Sequence, residues 1–175
     1  LFLINMKRRV AIKNIGLIVG GITVLPYSCS NEQELLYANL TPYLKSKQFE
    51  LIGLISSIIL PANEQRFPTN ESRQKFVLTM INDCYSETNI KKFIASLQYF
   101  ETKTIESYNK SFLELSDNEK INFLDSEYKP NGESLFFLES LKNYSILHFE
   151  TSENYMLDYL NFEFAPGRYE GKVLI

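Results

Sequence analysis

Along most of the chain apolar residues recur at helical spacing. Phe49, Ile52, Ile55 and Ile59 fall three to four residues apart, with Leu51, Leu54 and Ile58 beside them. This predicts a helix over Ser46–Leu60, apolar on most faces and therefore central, which Pro61 ends. The stretch ANEQRFPTNES reads as a loop, with Thr69 or Asn70 as the next N-cap. Phe76, Met80, Ile81 and Cys84 mark a second stripe. Ser86 caps a third helix, in which Ile90, Phe93, Ile94, Leu97, Phe100 and Ile105 carry the period. Ser116-Asp117-Asn118-Glu119 has the form of a capping box and precedes Ile121, Phe123 and Leu124.

Lys129-Pro130-Asn131-Gly132 breaks the pattern. Leu135, Phe136, Leu138, Leu141, Leu147 and Phe149 then form a long stripe, and Thr151 or Ser152 caps a short helix through about Leu160. No segment before the tail alternates long enough to predict a strand, and there is no internal repeat. The pattern predicts an all-α fold: a single compact, bundle-like domain of five or six helices with an extended C-terminal tail.

The front of the chain follows a different rule. After Met6, taken as the start, come Lys7, Arg8, Arg9 and Lys13, then an apolar run from Ile15 to Leu25, then Ser28-Cys29-Ser30. The run has 11 residues, short of the ~20 that a bilayer span requires, so it reads as the apolar core of a signal peptide. Arg8-Arg9-Val10-Ala11-Ile12-Lys13 is similar to a twin-arginine export signal, and Gly16, Gly20 and Gly21 lower the hydrophobicity behind it. The alternative is a general secretory signal that happens to carry two arginines. The expected organisation is a signal peptide over 1–28, a linker over 29–45, within which 35–42 holds one turn of helix, and a helical domain over 46–175.

Cys29 is a candidate lipidation site, although Leu25 lies four residues before it and Pro26 occupies the usual leucine place. Unlipidated, it leaves a Cys29–Cys84 bridge open; lipidated, it leaves Cys84 single, and Cys84 shares a stripe with Met80 and Ile81, where a buried thiol is expected.

Charge and composition remove several functions. With the four basic residues of the front end set aside, the body holds 14 basic and 21 acidic residues. Such an acidic body with scattered Lys and Arg lacks the basic stripe of a nucleic-acid groove. One histidine and two cysteines supply neither two Glu-x-x-His motifs for a di-iron bundle nor a zinc set, so no metal is expected. There is no Gly-x-Ser-x-Gly elbow, dinucleotide turn or phosphate loop. A Cys84–His148 nucleophile pair stands on two residues alone, and His148, near a helix end, is placed to face terminal carbonyls. Glu50, Asp83, Glu139 and Asp158 read as solvated carboxylates. No catalytic residue is predicted.

The chain ends on PGRYEGKVLI. Pro166-Gly167 forces a turn and Gly171 frees the backbone again, presenting Arg168 and Tyr169, residue types enriched at interface hot spots. Val173-Leu174-Ile175 is β-prone. Either this segment meets a partner or it packs back on its own helices, with Arg168 paired to an acid such as Glu163 or Glu170.

Four pieces together resemble one family: Ile58-Ile59-Leu60-Pro61, Asn82-Asp83-Cys84-Tyr85, Leu141 through Phe149-Glu150-Thr151-Ser152-Glu153, and Pro166-Gly167-Arg168-Tyr169-Glu170-Gly171. They follow the pattern of gluconate 2-dehydrogenase subunit 3, from roughly Phe49 to Lys172. The resemblance implies a non-catalytic small subunit without a cofactor of its own. Its partner would be a large FAD-containing dehydrogenase of the glucose–methanol–choline type, acting on sugars, sugar acids or glycosides. Electrons would pass to a cytochrome c subunit or another acceptor. The small subunit would carry the twin-arginine address and take its folded partner into the periplasm or cell envelope, held at the membrane by a lipid or through the complex. Many relatives carry Cys where this chain has Lys172, so a disulfide role is lost there. The alternative from another class is a stand-alone envelope lipoprotein that binds another protein or a glycan.

Overall fold

The predicted stripes fold as helices in the computed structural model, which describes residues 37–61, 66–163 and 167. In chain order these are α1 (Ser46–Ile59), α2 (Arg73–Cys84), α3 (Glu87–Tyr108), α4 (Asp117–Glu127), α5 (Leu135–Glu150) and α6 (Glu153–Leu160), with a 3₁₀ turn at Phe112–Glu114. There is no strand among the described residues. The all-α expectation and its helix number therefore hold. Arg8, Arg9, Lys13, Cys29, Pro166, Arg168, Tyr169 and Gly171 lie outside the described residues.

Local chemistry sets the helix boundaries. Ser72, Ser86 and Ser152 accept from Lys75, Asn89 and Tyr155 N–H, satisfying amides that each first turn leaves without a partner. Ser116 donates through its N–H and hydroxyl to the Glu119 carboxylate at 2.8 and 2.7 Å. Both bonds hold that carboxyl below its ordinary pKa. Asn109 and Asn161 end α3 and α6 in the left-handed conformation that asparagine tolerates. The start of α2 is two to three residues later than expected, because the Thr69 hydroxyl donates to Glu71 C=O and closes a turn there instead of capping.

The helix α5 lies at the centre, packed on α1, α2 and α3. Its core positions are Phe137, Leu138, Leu141, Ser145 and His148, so Leu147, expected inside, is exposed. The reason is periodicity. The inward row continues at three- to four-residue steps onto a serine and a histidine, while the leucine falls on the other side. In α3 the row runs Ile90, Phe93, Leu97, Phe100 and Thr104. Thr104 is fully buried, its hydroxyl satisfied by Phe100 C=O at 2.8 Å, and Ile105, one step off the row, is exposed. Ile121 is likewise exposed. In α2 the buried apolar residues are Val77, Leu78 and Ile81, while Phe76 and Met80 are half-buried.

Aromatic rings fill the space between α3, α4 and α5. Phe100 has ring centroids of Phe112, Phe123 and Phe137 at 5.2, 5.2 and 5.4 Å, and Phe93 meets Phe137 at 5.4 Å. These tilted and edge-on contacts are the geometry that ring quadrupoles favour.

Two further departures concern the segment before α1 and the last residue of α2. The expected linker over 29–45 holds core residues in its described part: Tyr37, Leu40 and Leu44 are buried. Turns at 37–43 pack them down, and a reciprocal pair fixes them to α2. Asn39 N–H donates to Asn82 Oδ1, and Asn39 Nδ2 donates to Asn82 C=O, both at 3.0 Å. Cys84, expected buried, is exposed. It is the last residue of α2, and the contacts at that level are made by the next residue, Tyr85, against Phe93 and Phe136.

Candidate functional site

The residues with reactive side chains are not brought together. The His148 ring rests on Phe76, with centroids 5.2 Å apart, two turns before Cys84 on the same helix, a separation of about 12 Å along its axis. Nor does His148 face the end of its own helix, as expected. Its Nε2 lies 2.9 Å from the carbonyl of Glu71. A carbonyl only accepts, so Nε2 carries the proton and ties the entry of α2 to α5. Nδ1 of His148 and Oγ of Ser145, one turn apart, are buried without a hydrogen bond. Among the described residues no group of three or more His, Cys, Asp or Glu is placed to hold a metal ion. No helix among them is long and apolar enough to cross a membrane.

The Asn82-Asp83-Cys84-Tyr85 segment holds the fold together at two points. Asn82 holds the Asn39 clamp. The Tyr85 hydroxyl donates to Ser140 Oγ at 2.7 Å, and Ser140 passes its own proton to Phe136 C=O at 2.6 Å. Beside this chain, burial and then the neighbouring Tyr85 and Cys84 push the Tyr144 phenol up to about 12. Burial also raises Tyr37. A phenol with a folded pKa above its unfolded value adds stability that is whole below the unfolded pKa of ~10 and is lost as pH rises through the folded value. Unfolding free energy is therefore expected to fall between pH 10 and about 12. Tyr144→Phe should flatten, but not abolish, that fall in urea titrations at stepped pH, since Tyr37 acts in the same direction.

Ile58, Ile59, Ile121, Leu124, Tyr128 and Leu138 line an open groove of about 360 Å³. Lys142 closes one side, its ammonium 5.0 Å from the Tyr128 ring centre.

The most developed surface is at the other end of α5, where α6 turns back upon it. Ser152 is buried and caps α6. Phe149 and Tyr155 meet at 4.9 Å across the turn, and Phe67, from the loop before α2, sits edge-on to Phe149 at 4.9 Å. Tyr155 stacks on Tyr159 at 5.3 Å. Arg66 locks the group: its guanidinium lies 5.1 Å over Phe67 and donates to the Tyr159 hydroxyl at 2.7 Å. Asn154 Nδ2 donates to Arg66 C=O at 2.6 Å. Outside this group α6 remains in water. It contains no buried residue, and Leu157, Tyr159, Leu160 and Phe162 are 47–58% exposed.

Arg66, Phe67 and Tyr159 were not singled out from the sequence. The first two lie in a non-periodic loop, and the signal available was an Arg-aromatic pair far along the chain from a Tyr-rich short helix. Of the residues that were singled out in the tail, Gly167 alone is described; it is exposed, with open space where a Cβ would project.

A family model described as gluconate 2-dehydrogenase subunit 3 matches residues 46–167, from the first residue of α1 to Gly167. No curated protein and no solved structure matches the chain.

Proposed function

Because the chain belongs to the gluconate 2-dehydrogenase subunit 3 family, a subunit class of a multi-subunit dehydrogenase, we propose that it is the non-catalytic small subunit and export escort of a flavin-dependent large subunit. The partner is of the glucose–methanol–choline type, oxidises a sugar, sugar acid or glycoside on its own FAD, and hands electrons to a cytochrome c subunit or another acceptor. The observation that carries the reading is the family match from the first residue of α1 to Gly167, in a chain that carries Arg8-Arg9 and Lys13 ahead of it.

The physical logic is one of cargo. A flavin is retained only by a folded protein, so a flavoprotein loaded before export needs a route that passes folded chains. A twin-arginine address on a bound small subunit supplies it. The body contributes a protein-binding surface, with the tail residues Pro166, Gly167, Arg168, Tyr169 and Gly171 as part of the contact. The complex sits in the periplasm or cell envelope, with Cys29 as the candidate lipid anchor.

The test is co-expression with a signal-less flavoprotein dehydrogenase encoded beside this chain. Arg8→Lys with Arg9→Lys is expected to leave flavin and dehydrogenase activity in the cytoplasm and to remove at least nine-tenths of both, about tenfold, from the periplasm. A chain ending at Ala165 should keep its helical circular dichroism and lose the flavoprotein on purification. Unchanged periplasmic flavoprotein in the twin-lysine variant would sink the escort role.

A further inference from the structure

We propose that the α6 ledge, with Arg66 and Phe67 at its edge, is where the large subunit docks; the inference rests on the subunit reading above. At 100° per residue, Tyr155, Tyr159, Met156, Leu160 and Leu157 occupy one continuous arc of α6 about 200° wide. A helix resting on one neighbour needs roughly half of that to meet its core. Tyr155 and Met156 are half-buried and face the domain. Leu160 and Leu157 form the surplus half; Tyr159 lies between Tyr155 and Met156 on the arc but one turn further on, where it is exposed, and Phe162 extends the patch, its N–H returned to Met156 C=O at 3.0 Å. About half of each of the Leu157, Tyr159, Leu160 and Phe162 side chains is exposed. Together they are of the order of the largest apolar patch on a typical monomer, about 300–600 Å² and often functional, and they make up an appreciable part of the ~800 Å² on one side of a standard interface.

The ledge is also ordered in advance. Stacking of Tyr155 on Tyr159 and the Arg66 bond to the Tyr159 hydroxyl fix rings that would otherwise lose rotamer freedom on docking. Arg and Tyr are residue types enriched at interface hot spots. The rim defines the chemistry of the occupant. Glu150, Glu153 and Asp158 stand exposed around the patch, so the matching surface is apolar at its centre and ringed by Lys and Arg. Association should therefore weaken with added salt.

The experiment is co-purification of tagged full-length chain with the co-expressed flavoprotein, read as flavin absorbance per small subunit. Leu157→Glu with Leu160→Glu is expected to weaken the complex about thirtyfold or more. Ile105→Glu, at an equally exposed isoleucine on α3, should leave it intact. A photo-crosslinking residue at position 160 should capture the large subunit, and one at 105 should not; this arm stands even where the glutamates disturb folding. Full flavin recovery with the glutamate pair, no crosslink from 160, or a crosslink from 160 only to a second copy of this chain would overturn the docking face and leave the subunit reading in place. A wild-type chain that brings down no flavin would overturn both.

Discussion

Phe100→Ala is expected to lower the free energy of unfolding by about 4 kcal/mol, the range for truncating a fully buried phenylalanine. Phe100 is wholly inaccessible and joins three elements through Phe112, Phe123 and Phe137. Truncation removes the transfer energy of the ring and leaves a hole that those three rings cannot close without abandoning their mutual tilt. A domain of this size has roughly 5–15 kcal/mol in total, so the variant sits near the edge of folding at 37 °C. Urea denaturation followed by circular dichroism checks it: the midpoint should drop and the slope should not change. Phe100→Leu, which keeps most of the volume, should cost clearly less. A loss below about 1 kcal/mol for the alanine variant would mean that the α3–α4–α5 ring cluster is not the core.

Ser96→Ala should cost about 2 kcal/mol, a large effect for the loss of one oxygen. The α5 N-terminus is capped from outside. Its own N-cap residue, Ser134, is spent on Glu127, with Oγ donating to the carboxylate at 2.7 Å. The third amide of the helix, Phe137 N–H, instead donates to Ser96 Oγ of α3 at 3.1 Å, and the same hydroxyl donates to Glu133 C=O. All of this is buried at the Ser96 and Phe137 side chains. Alanine leaves a buried donor and an acceptor without partners, and no water replaces the hydroxyl easily there. Ser57→Ala is the control: its hydroxyl bonds Gly53 C=O at 3.0 Å on an exposed face, and its removal should change stability by less than about 0.5 kcal/mol.

Helix existence was readable because Pro61, Ser86, Ser116 and Asn131-Gly132 punctuate clear three- to four-residue rows. Which side of a helix turns inward was less so. The reading followed apolarity, and in α5 the inward row ends on Ser145 and His148, polar residues that burial tolerates through cross-element bonds or close packing. Thr104 hid the α3 row for the same reason. Tyr37 and Leu40 looked like linker because their anchor is Asn39 on Asn82, a pairing 43 residues apart that no local pattern carries. Of Pro166–Gly171, Gly167 alone lies within the described residues. The α6 ledge escaped because a short helix with aromatic residues looks like ordinary packing until the side that meets nothing is known.

The Asn39–Asn82 clamp has a mechanical consequence. If Cys29 carries a lipid, the chain between it and the first described core residue, Tyr37, is at most eight steps and not the 17 residues from 29 to 45. At 3.3–3.6 Å per residue these steps reach at most about 28 Å. The domain would then work on a short leash, with Tyr37 held within about 28 Å of the lipid-bearing residue.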